Sequence, residues 1–87
     1  MTQPQALTDA IRALLREHGR LAVDVESLAA DSNLYDAGLT SHASVNLMLA
    51  LEDHFAIEFP DRMLRRGAFA SIAAILSGVE ELLGARA

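Results

Sequence analysis

Leu7, Ile11, Leu14, Leu15 and His18 recur at the i, i+4, i+7, i+8 spacing of one helical face. Pro4 or Thr8 suits the start of that helix and Gly19 its end. Towards the other end of the chain, Ile72, Ile75, Leu76, Val79, Leu82 and Leu83 predict another helix, preceded by Ser71 and followed by Gly84. Gly78 falls inside it, at a cost of about 1 kcal/mol relative to alanine. Between them, SHASVNLMLALEDHF (Ser41–Phe55) predicts a helix of a different kind, apolar nearly all round. With successive residues about 100° apart, Leu47, Met48, Leu51 and Phe55 share a face suited to a core. Val45 and Leu49 point nearly the opposite way, on the side of Ser41 and Glu52. A helix with two apolar faces is either enclosed or offers one face to a partner. A chain of 87 residues has little material for full enclosure.

The connection Arg20–Thr40 is long for a compact domain, and loops of this length are ordered and functional more often than not. Leu21, Val23, Val25, Leu28, Leu34 and Tyr35 can pin it to the core. In FPDRMLRRG, Pro60 is placed to open a short helical turn over Asp61–Arg66. No segment of useful length alternates as a strand. The expected fold is all-α: a small antiparallel bundle of three main helices and one short helix, with a long first loop. Residues 1–87 form a single domain in this reading.

Composition narrows the function. Hydrophobic residues make up 52% of the chain, too many for a disordered segment. The net charge of −5 argues against nucleic-acid binding, which uses a basic surface. Apolar runs such as Leu47–Leu51 are far too short to span a bilayer. Met1–Asp9 has neither the basic start nor the apolar block of a secretory signal, so a cytoplasmic monomer is expected. There is no cysteine, so any thiol chemistry needs a thiol supplied by a cofactor. His18, His42 and His54 are not at ligand spacing, and neither a metal site nor a catalytic residue is expected.

Four hydroxyl residues, Ser32, Thr40, Ser41 and Ser44, stand in or near the loop-to-helix join. Asp31 or Ser32 can cap a local turn, and Ser44 lies one turn into the helix, angled towards the core face. Thr40 or Ser41 can serve simply as the N-cap. The same place also suits a modified serine. A helix start offers unpaired amides and a positive dipole end, favourable for a phosphodiester, and Gly38 keeps the approach uncrowded. Both readings stand on the residues alone.

From Asp31 to Ile75 the chain resembles the acyl carrier protein superfamily. DSNLYDAG, LTSHASVNL, LALEDHF and IEFPD match, in order, the family's acidic-aliphatic loop, glycine, modified-serine helix and I-x-[IF]-P-D turn. The resemblance implies a covalent 4′-phosphopantetheine on Ser41, the serine three residues after Gly38, with Val45, Leu47, Leu51, Glu52 and Phe55 in register. It implies partners as well: a phosphopantetheinyl transferase and an enzyme that accepts the cargo. Thr40 stands where the family has aspartate, His42 where it has leucine, and Asn46 where many fatty-acid carriers have glutamate. The third-helix region is basic, with Arg62, Arg65 and Arg66, where fatty-acid carriers are acidic. The segment is most similar to small bacterial carriers loaded with amino acids by ligases homologous to class II aminoacyl-tRNA synthetases.

The expected function is therefore a carrier of a small aminoacyl thioester, itself without catalysis. Ser41 is the attachment site, and His42, Val45, Leu49, Arg62, Arg65 and Arg66 are candidates for partner docking. The alternatives are an acyl carrier for fatty-acid or polyketide-type chemistry and an unmodified helical interaction domain. His42 points about 100° away from Ser41 and is not placed as its base. Glu52 and Asp53 are read as a solvated face, and Tyr35 as a loop anchor.

Overall fold

In the computed structural model, which describes residues 4–86, the apolar periodicity becomes three helices: α1 (Pro4–His18), α2 (Ser41–Phe55) and α3 (Ile72–Arg86). Short 3₁₀ turns occupy Val25–Ser27, Asp61–Met63 and Arg66–Phe69. The described residues contain no strand. Two expectations shift. The region after Pro60 forms two separate turns rather than one helix over Asp61–Arg66. Helix α3 runs through Gly84 to Arg86 instead of stopping before the glycine.

Helix α1 packs on both α2 and α3. Leu7, Ile11, Leu14 and Leu15 meet Ala43, Leu47 and Leu51 of α2 and Ile72, Ile75 and Val79 of α3 in one apolar cluster. No polar or charged side chain is buried among the described residues. Phe55, expected in this core, is only partly buried. The reason is helical drift: each step of four residues rotates by about 40°, so a stripe centred on Ala43, Leu47 and Leu51 has turned away by position 55. The Phe55 ring instead meets His54 edge-on at 4.7 Å. Met48, about 100° round the helix from Leu47, lies at the margin of the core.

The first loop is fastened at several points. Leu34, Leu39 and Val25 are buried, whereas Val23 is exposed and does not anchor it. The Leu34 amide donates to the Ala70 carbonyl at 2.7 Å, and the Ala73 amide to the Ala30 carbonyl at 2.8 Å, tying the loop to the start of α3. Asn33 Oδ1 accepts from the amides of Tyr35 and Asp36, a side-chain mimic of a backbone turn. Gly38 follows with φ 112°, and a Cβ there would stand 2.9 Å from the Ala22 nitrogen. Glycine alone meets both demands, and the chain can then enter α2.

The end of α2 is closed by its own glutamate. Ala56 turns into the left-handed region at φ 54°, and its amide donates to the Glu52 carbonyl. The Glu52 carboxylate accepts from the Phe59 amide at 2.9 Å. Glu52 thus shapes the reversal that carries the chain to the Asp61–Met63 turn. Gly78 receives that turn on α3, where a Cβ would lie 3.1 Å from Met63 Cε. The helix-weakening glycine stands where Met63 and Phe59 approach α3.

Candidate functional site

Three of the four hydroxyls at the loop–helix join are engaged. Thr40 is extended (φ −92°, ψ 164°), and its Oγ1 accepts from the Ala43 amide at 3.0 Å, making it the N-cap of α2. Ser44 Oγ donates to the Ser41 carbonyl at 2.7 Å; it is partly exposed rather than turned to the core. Ser32 Oγ accepts from the Ala29 amide at 3.0 Å inside the loop. Ser41, the first residue of α2, is exposed, and its hydroxyl has no hydrogen-bond partner among the described residues. Capping and chemical availability therefore fall on adjacent residues, not on one. Thr40→Ala is expected to lower stability by about 1 kcal/mol, read as a shifted urea midpoint at constant slope.

Ser41 opens onto a groove of about 330 Å³ between the first turns of α2 and the two 3₁₀ turns that precede α3. On α2 it is lined by Ser41, Ser44, Val45 and Met48, an i, i+3, i+4, i+7 stripe. Tyr35 of the loop and Leu64, Arg65, Arg66 and Phe69 complete the wall. The Tyr35 hydroxyl donates to the Arg66 carbonyl at 2.9 Å, and the Arg66 guanidinium carbon sits 3.7 Å from the centroid of its ring. Loop and turn are thereby held together on the side facing Ser41. Tyr35 is the loop anchor expected from the sequence, and it is also a wall of the site.

The sequence-nominated residues divide in two. Ser41, Val45, Arg65 and Arg66 come together in the groove, whereas His42, Leu49 and Arg62 do not line it. Leu49 and Val45 are exposed on one side of α2, at 53% and 51%, which leaves that apolar face uncovered by the chain itself. Arg62 turns to α3 and pairs with Glu81 at 2.6 Å. Ser44 and Met48 were recoverable from the helical stripe that starts at Ser41. Leu64 and Phe69 arrive from beyond α2 and Tyr35 from the loop before it, and none of the three carried a local signal for the groove.

Ser41 is thus a surface serine freed from capping duty, at a helix start beside a mostly apolar groove. Residues 6–83 match the phosphopantetheine attachment site family, and the chain belongs to that family. Within it, the chain is 49% identical over 73 residues to the aminoacyl carrier protein of Agrobacterium fabrum, covering 84% of this chain and 88% of that protein. It also superposes with TM-score 0.84 and 47% identity on a chain from a crystal structure of an engineered Bradyrhizobium japonicum glycine:carrier protein ligase complexed with a carrier protein from Agrobacterium tumefaciens and ATP; the match covers 86% of this chain and 97% of the other. A solution structure from Agrobacterium tumefaciens matches with TM-score 0.73 and 46% identity, over 91% and 95% of the two chains. Among the described residues, no helix is long and apolar enough to cross a membrane.

Proposed function

We propose that the protein is an aminoacyl carrier, modified on Ser41 with 4′-phosphopantetheine and loaded with a small amino acid by a separate ligase. The observation that carries this reading is the exposed, unbonded Ser41 hydroxyl beside Thr40, which caps the helix in its place. In the attachment step, Ser41 Oγ bonds to the phosphorus of coenzyme A nearest the pantetheine. The pyrophosphate bond breaks, 3′,5′-ADP leaves, and the serine proton passes to a base of the transferase or to solvent. The family relationship and the 49% identity to an aminoacyl carrier protein support the reading. The arm supplies the thiol that a cysteine-free chain lacks, and on it the amino acid is held as a thioester.

This chain's own residues present and dock. The amides at the start of α2 and its dipole favour an anion on Ser41. Val45, Leu49 and His42 form the face of α2 offered in turn to transferase, ligase and acceptor enzyme; of the three arginines, Arg65 and Arg66 lie across the groove from Val45 and Arg62 is held by Glu81. A small patch of this kind suits brief, reversible docking. The interior favours a small, charged cargo over a long acyl chain. Leu47 and Leu51 are fully buried, so a long chain entering the bundle would have to displace core side chains. The ammonium group of an aminoacyl cargo is costly to bury and is kept in solvent.

Incubation of the holo-protein with ATP, glycine or alanine, and a class II synthetase-like ligase should add the aminoacyl mass as a hydroxylamine-labile thioester. The core methyl resonances of Leu47, Leu51 and Ile75 should stay in place on loading. Broad core shifts on octanoyl loading, with no aminoacylation by any such ligase, would transfer the protein to fatty-acid or polyketide-type chemistry.

A further inference from the structure

Two arginines stand in the Ser41 groove without a counter-charge. In a chain of net charge −5, Arg16 is paired with Glu26 and Arg62 with Glu81. Arg65 and Arg66 have no carboxylate partner among the described residues, although both line the groove that Ser41 opens onto. Their positions are set by contacts that leave donors free. The Arg66 guanidinium carbon stands 3.7 Å over the Tyr35 ring, a cation–π contact that uses none of its N–H donors. Arg65 spends its Nε donor on the Arg62 carbonyl at 3.1 Å, leaving the terminal nitrogens of its guanidinium unbonded.

The groove thus combines a cationic rim (Arg65 and Arg66) with apolar walls (Val45, Met48 and Leu64) and a reactive hydroxyl at its edge. A phosphodiester is the anion whose geometry a guanidinium fork matches, and it carries a full negative charge at neutral pH. We propose that Arg65 and Arg66 are the counter-ions of the phosphodiester on Ser41, so that the first part of the arm lies in the groove instead of leaving freely into solvent. The phosphate meets the guanidinium groups, and the gem-dimethyl group of the arm packs against Val45, Met48 and Leu64. The inference rests on the reading that Ser41 is modified. Its consequence is directional: the arm leaves the protein along the groove, and the sector swept by its thiol is restricted before any partner binds.

The test compares apo- and holo-protein labelled with ¹⁵N, with intact mass confirming the modification. The Nε–Hε cross-peaks of Arg65 and Arg66 should shift on conversion to the holo form, while that of Arg16, on the exposed face of α1, stays in place. The ³¹P resonance of the holo-protein should differ from that of free phosphopantetheine. Arg65→Gln, which leaves the Tyr35–Arg66 contact intact, should move it part of the way back, and Arg65→Gln with Arg66→Gln the rest. High salt should have the same effect on the unaltered protein, because the pair is exposed and screened. Modified protein with both arginine peaks unmoved overturns the inference and leaves the attachment site standing. Arginine peaks that move only when ligase is added overturn it too, returning the pair to protein docking. Protein that is not modified at Ser41 overturns the inference and the carrier reading together.

Discussion

Ser41→Ala is expected to abolish phosphopantetheinylation completely and to leave stability within about 0.5 kcal/mol of the parent. The first half follows from nucleophile identity: no other hydroxyl at the join is unengaged. The second follows from the cap. Had Ser41 capped α2, alanine would cost about 1 kcal/mol, but that hydrogen bond belongs to Thr40 and survives the change. Alanine is also the better helix former at a first-turn position. Ser32→Ala should still accept the arm, since Ser32 lies inside the loop and bonds the Ala29 amide. Intact mass after incubation with coenzyme A and a broad-specificity transferase checks both variants, and urea unfolding checks the fold. Modification lost in the Ser32 variant and retained in the Ser41 variant would place the attachment site on the loop.

Leu51→Ala should bring the protein close to global unfolding. Leu51 is fully buried, in the cluster where α1, α2 and α3 meet. Truncating such a leucine removes its transfer energy and leaves a cavity, costing about 2–5 kcal/mol. Domains of this size have total stabilities of about 5 kcal/mol, so little is left to hold the fold. A sharply lowered urea midpoint, or loss of helical circular dichroism at room temperature, is the expected reading. Leu49→Ala, two positions away, should change stability by no more than about 0.5 kcal/mol, because the side chain is 53% exposed. On the proposed carrier function, its expected effect is slower loading by the ligase. Equal destabilisation by the two variants would contradict the two-faced description of α2.

The contrast between those two leucines was visible in the chain before any fold was known. Periodicity is a local property, and a 3.6-residue repeat places Leu47 and Leu51 opposite Val45 and Leu49 whatever they pack against. The same local rules marked the starts of the helices, the loop held by its aliphatic residues, and the junction near Ser41. Local pattern could not say which hydroxyl caps the helix. Thr40 and Ser41 are both good caps, and the choice turns on which of them the loop delivers in the extended conformation, which is Thr40. Nor could it show that Glu52 reaches the Phe59 amide, or that Tyr35 lies beneath Arg66, thirty-one positions along. Phe55 was misplaced because a stripe extrapolated over about three turns drifts off the face it began on. Helix faces follow from bonds between near neighbours in the chain. The groove follows from how α2, the first loop and the turns before α3 lean together, which is set by side-chain volumes at contacts far apart in sequence.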